Sequence, residues 1–309
     1  MLTNNTRSSG LSDIVAFVCV VQTGSFTAAA EQLNTSKSVI SKYITRLEDR
    51  LSVKLLTRTT RRLTLTEIGQ TFYDGVSIGI QAIDQAEEEV SYLQGKPRGT
   101  LKINAPLSFG TLHIAPILGE FQALYPEVNV DLRFDDKEVD MVKAGLDLTI
   151  RITEQLEGNF IARKIAPCRH AIVAAPSYVK AHGEPRFPKD LMNHNVITYQ
   201  YQHSRWEWEF TDTNRKTKRV CVKGDIQMNN SLAIREAVIA GAGIARMPTF
   251  SVGDEIKSGR LIQLLPKYQL LELSIYCVFP DRNYMAPKLR AFIDFIVDRM
   301  QNKPPWDDF

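Results

Sequence analysis

The sequence predicts a fold in two parts. An all-α head of three short helices, closed by a β-hairpin, is followed by one long helix and then by an α/β domain with two sheets. Three observations predict it. Apolar residues in the first 51 positions recur every three or four residues in three short runs. The stretch from Thr66 to Lys96 carries a regular apolar repeat and no proline. From Leu101 onward, strand-like and helix-like patterns alternate. A chain of 309 residues, 44% of them hydrophobic, suits two globular domains with cores of their own.

Residues 11–22, LSDIVAFVCVVQ, put Ile14, Phe17, Val18 and Val21 on one helical face, and Thr23-Gly24 ends that helix. Ser25 is placed to cap a second helix carrying Phe26, Ala29, Ala30 and Leu33, whose alanines let another helix approach closely. After the turn Asn34-Thr35, Ser36 caps a third helix reaching Leu51, with Ile40, Ile44, Leu47 and Leu51 as its apolar stripe. Val53, Leu55 and Leu56, then Leu63 and Leu65, read as two short strands around the tip Arg58-Thr59-Thr60-Arg61-Arg62.

The polar side of the third helix points to a partner. Ser38, Ser41, Lys42 and Thr45 are spaced i, i+3, i+4, i+7, with Ser36, Lys37 and Arg46 beside them and no acid before Glu48 and Asp49. An ordinary solvated face mixes Glu with Lys. A face of short donors lets the helix backbone come close to base edges in a major groove. At the hairpin tip, Arg58, Thr59, Arg61 and Arg62 are set to reach phosphates or a minor groove, as a wing does. Charge agrees: Met1 to Leu65 holds nine Lys/Arg against four Asp/Glu, a local +5 in a chain of net charge +3, which leaves the remainder at −2. The expected partner is double-stranded DNA, read by a winged helix-turn-helix.

The run FVCVVQTGSFTAAAEQLNTSKSVISKYITRLEDRLSVKLLTRTTRRLTLTEIG resembles the DNA-binding domain of LysR-type transcriptional regulators. GSFTAAAEQL, the Ser-initiated third helix, RLE, LLTRTTR and LTEIG carry the resemblance. Two departures stand out. Lys37 and Ser38 occupy positions where the family often has Gln or Pro and Pro or Ser, and Lys42 stands where Arg is usual. Lysine cannot form arginine's two-pronged bond to guanine, so the base preference there is open.

Within the long helix, Phe72, Val76, Gly79, Ile83, Ala86, Val90 and Leu93 are separated by alternating fours and threes, the spacing of a coiled-coil seam. A helix of this length needs a partner surface. The family resemblance implies a dimer through this helix, with two recognition helices over a partly palindromic promoter site, or a pair of such dimers, a homotetramer. Gly95-Lys96-Pro97-Arg98-Gly99 then forms a hinge.

Beyond the hinge the expected elements are strands at Leu101–Asn104, Val128–Phe134 and Leu146–Ile152, with helices at 110–125 and Val139–Ala144, together a mainly parallel sheet. Strands at His170–Ala174, Val196–Tyr199 and Val220–Met228 suggest a second sheet. A helix at Ser231–Ala240, strands at Ile244–Met247 and Leu273–Phe279, and an amphipathic helix at Lys288–Met300 complete the chain. LKINAPLSFGTLHIAP, FQALYPEVNVDLRF, DLTIRI, ARKIAPCRHAIVAAPSYVKAHG and REAVIAGAGIARMP resemble the LysR substrate-binding domain, a periplasmic-binding-protein-like fold of two α/β lobes with the effector between them. The resemblance implies domains at 8–66, 67–95 and 96–309, with lobe I formed by 100–170 and 273–309 and lobe II by 171–272.

For the effector, Leu107, Ser108 and Phe109 follow a strand at a helix start, and Asn230 and Ser231 begin another helix. Free N–H groups at such starts suit a small organic anion. Arg151 adds a charge, and Tyr199 is placed to close the pocket. Each has a plainer reading: Ser108, Asn230 and Ser231 as helix caps, Arg151 as half of a surface ion pair, Tyr199 as core.

The sequence shows no GxSxG, HExxH or Walker loop, and His113, His170, His182, His194 and His203 lack metal-like spacing, so no catalytic residue, metal or cofactor is expected. No apolar run approaches the roughly 20 residues of a membrane span. The polar start MLTNNTRSSG lacks a signal-peptide pattern, and Cys19, Cys168, Cys221 and Cys277 form no CxxC pair, which together suggest a cytoplasmic protein. The expected function is a transcription regulator controlled by a small effector and touching RNA polymerase. A constitutive or architectural DNA binder, or a redox sensor using Cys168 and Cys221, are the alternatives.

Overall fold

The computed structural model describes residues 4–58, 63–137, 139–142, 144–201, 205–281, 285–300 and 304–309. It divides into two compact units, Met1–Val90 and Ser91–Phe309.

The first unit contains α1 (Asn4–Thr23), α2 (Phe26–Gln32) and α3 (Lys37–Leu51), then β1 (Leu56–Arg58) and β2 (Leu63–Leu65), and most of α4 (Glu67–Gln94). Helix α1 starts seven residues before the stretch expected from the sequence. Gly24 turns the chain at φ 64° and the Ser25 hydroxyl accepts the N–H groups of Thr27 and Ala28. Phe17, Ala29, Ile40, Leu47 and Leu55 are fully buried. Burying each large side chain contributes about 1.5–3 kcal/mol. Strands β1 and β2 pair antiparallel, Leu56 opposite Leu65 and Arg58 opposite Leu63; Thr59, Thr60, Arg61 and Arg62 lie outside the described residues.

Helix α4 shares part of its expected seam with the core of its own unit. Phe72, Tyr73, Val76 and Ile80 pack on the core of their own unit, with the Phe17 and Phe72 ring centroids 5.6 Å apart. The apolar residues left outside are Ile68, Ile78 and Ile83, exposed by 54%, 67% and 44%. Gly79 has open space around it, and the side chains of Ala86, Val90 and Leu93 lie outside the described ones. Phe72 and Val76 of the expected seam thus serve the core of their own unit, while Ile83 of the same seam is exposed.

The second unit holds two five-stranded sheets. Its elements are β3 (Gly99–Ala105), α5 (Leu107–Phe109), α6 (Leu118–Leu124), β4 (Val128–Phe134), β5 (Leu148–Thr153), β6 (Ile161–Cys168), β7 (His170–Ala174), α7 (Pro176–His182), β8 (Val196–Tyr199), β9 (Glu207–Thr211), β10 (Thr217–Cys221), β11 (Ile226–Met228), α8 (Ser231–Ile239), β12 (Ile244–Pro248), α9 (Thr249–Lys257), β13 (Ile262–Leu264), β14 (Leu273–Phe279) and α10 (Pro287–Met300). The first sheet runs β4-β3-β5-β14-β6, the second β11-β8-β12-β7-β13, and β9 with β10 forms a separate hairpin. Each five-stranded sheet has two parallel and two antiparallel pairings, not the mainly parallel arrangement expected, because β14 and β7 run against their neighbours. Arg169 alone joins β6 in the first sheet to β7 in the second, and the chain returns between β13 and β14.

Three expected elements differ. The helix at 110–125 is broken into α5, a π-helical turn (Gly110–Ile114), a 3-10 turn (Ala115–Ile117) and α6, since Pro116 offers no N–H to continue the ladder. Among the described residues of Val139–Ala144 there is a turn in place of the helix, closed by the N–H groups of Ala144, Gly145 and Leu146 on the carbonyls of Asp140, Val142 and Met141, with Gly145 at φ 63°. Val220–Met228 divides into β10 and β11, because at Gly224 the backbone presses on Val196, where any Cβ would overlap the Val196 carbonyl.

Candidate DNA interface and effector cleft

The polar face of α3 stands as the spacing predicts. Ser36 begins the helix, its hydroxyl accepting the Val39 N–H (3.3 Å) and lying 2.8 Å from the Ser38 hydroxyl. Lys37, Ser38, Lys42 and Thr45 are exposed and Ser41 is half-buried; Thr45 donates to the Ser41 carbonyl at 3.0 Å. Buried Ile40, Ile44 and Leu47 on the opposite side fix the rotation of the helix and so the direction of that face.

Arg46 has a different setting from its neighbours. Its guanidinium grips the buried carboxylate of Asp13 on α1, with Nε 2.8 Å from Oδ2 and Nη2 on Oδ1, and lies 5.1 Å from the Tyr43 ring centroid. The Asp13 bond, partly opposed by desolvation, raises the arginine's pKa above its ordinary value. Arg46 therefore ties α3 to α1 beside the proposed reading face. It is this pair that makes Asp13, a residue sequence reasoning passed over, a support of the site.

Glu48 was also missed. Its carboxylate is buried, accepts the N–H groups of Leu55 (3.0 Å) and Leu56 (3.2 Å), and meets the Lys54 ammonium at 2.6 Å. Burial pushes the carboxyl up, but Lys54 and the two amides outweigh it and hold the group below the usual range. The end of the recognition helix is thereby locked to the start of the wing. Thr66 continues the lock: it donates to the Lys54 carbonyl (2.8 Å) and accepts the Gly69 N–H (2.9 Å). Gly69 is required there because any Cβ would overlap the Leu55 carbonyl. The LTEIG motif is thus a packing device at the root of the hairpin.

In the second unit, the groups expected around an effector are only partly together. The Leu107 N–H is taken by Asp136 Oδ1 at 3.0 Å. Ser108 is buried, and Phe109 is fully buried in an aromatic cluster, which removes Phe109 from any surface an effector touches. Asn230 caps its own helix, its side-chain oxygen accepting the N–H groups of Leu232 (2.8 Å) and Ala233 (3.2 Å), while Ser231 occupies the first helical position. Tyr199 ends β8, half-buried, with its ring 5.8 Å from that of Tyr201. Its phenol is pushed up by burial, then by the charge of Asp136 and by Tyr201, so the end of β8 in one lobe lies within electrostatic reach of the loop after β4 in the other. Asp136 is raised by burial and by Asp135, against the lowering by Leu107 N–H. Asp136 is the residue sequence reasoning missed here; only the folded chain brings it to Leu107. Arg151 lies opposite Tyr276 on β14, its guanidinium 5.3 Å from the Phe160 ring centroid.

Among the described residues no cluster of His, Cys, Asp and Glu is arranged for a metal, and no helix is long and apolar enough to cross a membrane. Cys168 is buried with its thiol pushed far up by burial and by the charges of Asp307 and Glu272, the reverse of a reactive cysteine, while Cys221 is exposed on the β9–β10 hairpin.

Residues 11–70 match the family described as bacterial regulatory helix-turn-helix protein, lysR family, and residues 94–301 match the LysR substrate binding domain. The chain is 36% identical over 294 residues to the HTH-type transcriptional regulator PtxR of Pseudomonas aeruginosa, covering 95% of this chain and 94% of that one. It is 29% identical to the transcriptional activator TtdR of Escherichia coli, covering 94% of each. Among solved structures it is similar to the full-length virulence activator AphB of Vibrio cholerae (TM-score 0.64, 27% identity, 93% of this chain and 98% of that one). It is also similar to CrgA of Neisseria meningitidis (TM-score 0.62, 27% identity, 94% and 99%). With a helix-turn-helix head and a two-sheet effector-binding domain both matched, the chain belongs to the LysR family of transcriptional regulators.

Proposed function

We propose that this regulator is a cytoplasmic, non-enzymatic homodimer, or a pair of dimers, that reads a partly palindromic promoter site and answers a small organic effector held between its lobes. The carrying observation is the acid-free, exposed face of α3, backed by a buried apolar stripe and buttressed by the Arg46–Asp13 pair. In this reading Ser38, Ser41, Lys42 and Thr45 meet base edges, with Ser36 and Lys37 at the helix start. Arg58, Thr59, Arg61 and Arg62 of the wing hold phosphates, and Arg46 orients the helix. Dimerisation runs along the α4 seam, where Ile68 and Ile83 are left exposed on one copy. Working boundaries of 8–66, 67–95 and 96–309 follow from the same reading.

The effector is proposed to lie between the lobes against Leu107, Ser108, Tyr199, Asn230 and Ser231, with Asp136 as an added contact. Two helix starts that favoured an anion already spend N–H groups on Asp136 and Asn230, which favours an effector offering a hydrogen-bond donor or positive charge to Asp136. Closure of the lobes on it alters DNA bending and contact with RNA polymerase, provided the effector binds the two arrangements with different affinity. To test this, purified protein is incubated with sheared genomic DNA and the retained fragments are sequenced at two salt concentrations. A discrete, partly symmetric site is the expected result; retention with no shared sequence, lost evenly with salt, contradicts it and favours an architectural binder.

A further inference from the structure

We propose that the C-terminal tail, residues 304–309, is a strap across the hinge of the effector-binding domain that holds its two lobes in one relative setting and so tunes the regulator's response. The proposal rests on the two-lobed effector reading above.

The tail stands at the crossover. Arg169, the single residue between β6 and β7, forms an ion pair with Asp307 (Nη1 to Oδ2, 2.6 Å) and another with Glu272 (Nε to Oε2, 3.2 Å), which directly precedes β14. One guanidinium thus joins both connecting segments and the tail. The other oxygen of Asp307 accepts the Thr249 hydroxyl at 2.6 Å, and the Thr249 N–H donates to the Arg169 carbonyl at 2.9 Å. The Asp307 side chain is 9% exposed, while the Arg169 guanidinium reaches it from a half-exposed position.

Trp306 makes the second half of the strap. Its ring lies 4.4 Å from that of His113 and 5.8 Å from that of Phe109, both from the helical run after β3, and 6.3 Å from Phe250 at the start of α9, after β12. His113 Nε2 donates to the Phe250 carbonyl at 2.9 Å, joining the same two segments directly. Helix α9 straddles the two cores, Phe250 in that of the first sheet and Val252 in that of the second. The tail lies flat on it at Gly253, where a Cβ would overlap the Trp306 carbonyl. A buried tryptophan, a nearly buried carboxylate and a glycine cleared for the segment's backbone fit it to the hinge.

The test uses the full-length protein and amide hydrogen exchange, comparing wild type with Asp307→Ala and Gly253→Ala. The second variant pushes the tail away without removing any of its bonding groups. The expected result is exchange at Thr249 to Val252 faster by about tenfold in both variants, with β3 and β12 unchanged, the loss of roughly one charge-assisted bond. A changed footprint on the regulator's own DNA site without added effector is expected alongside. Unchanged exchange, or a rise spread evenly over the domain, overturns the strap; faster exchange at the hinge with an unchanged footprint overturns its regulatory role. The exchange arm needs no effector, so failure to find one bears on the cleft reading and leaves the strap measurable.

Discussion

The face of α3 and the cleft between the lobes are both collections of polar groups, but they are built in opposite ways. On α3 the donors come from consecutive turns of one helix, and a buried stripe of Ile40, Ile44 and Leu47 aims them. At the cleft, Leu107, Asp136, Tyr199 and Asn230 come from four separate strand and helix ends, and each already answers to a neighbour. A helical face is a local property, set by spacing. A cleft is a property of topology, and its chemistry depends on which backbone groups the chain has already satisfied.

The contrast can be broken or sharpened by substitution. Ile83→Glu puts a charge on the exposed part of the α4 seam. Dimer dissociation is expected to rise by about 100-fold, roughly the cost of burying an unpaired charge after relaxation, in sedimentation measurements. An unchanged dimer would place the seam on another face. Glu48→Ala removes an acceptor from two buried amides and is expected to lower the stability of the head by about 2–3 kcal/mol in denaturant unfolding. Because the folded carboxyl is held below its ordinary range, the wild-type contribution is complete at neutral pH and is lost as pH falls through the ordinary glutamate range toward the lower folded value. The variant's deficit should shrink over that acid interval.

Asp136→Asn is expected to cost about 1 kcal/mol of domain stability through the weakened Leu107 bond, while DNA affinity stays within about twofold; loss of DNA binding would show that cleft and head are not separate devices. The smallest effect separates two arginines. Arg61→Ala is expected to flatten the dependence of log K on log salt by about one unit, as loss of a phosphate contact does, and Arg46→Ala to leave that slope nearly unchanged because its guanidinium is spent on Asp13. Equal slopes for the two variants would undo the division between wing and buttress.

How much of this was legible beforehand follows the same line. Val128–Phe134, His170–Ala174, Val196–Tyr199 and Leu273–Phe279 are observed at the bounds the sequence predicts, since each is a short run of alternating or continuous apolar, largely β-branched and aromatic residues. Helix α9 was not foreseen, because its residues face two cores and show no single stripe. The α4 repeat gave the element but not that Phe72 and Val76 would pack on their own unit: periodicity shows that a helix has an apolar side, not which body covers it. Asp13, Glu48 and Asp136 escaped notice for one reason. Their partners lie 33, 7 and 29 residues away, and no spacing rule reaches them.

The most direct test of the central claim is the base preference of full-length wild type and Lys42→Ala on a saturation library of the recovered DNA site. If α3 reads bases as proposed, the substitution removes about 1–3 kcal/mol of discrimination at symmetry-related positions, one in each half-site, and leaves the other positions unchanged. A uniform loss of affinity with the preference intact at every position would contradict it, and would make the face of α3 a phosphate contact and not a reader of sequence.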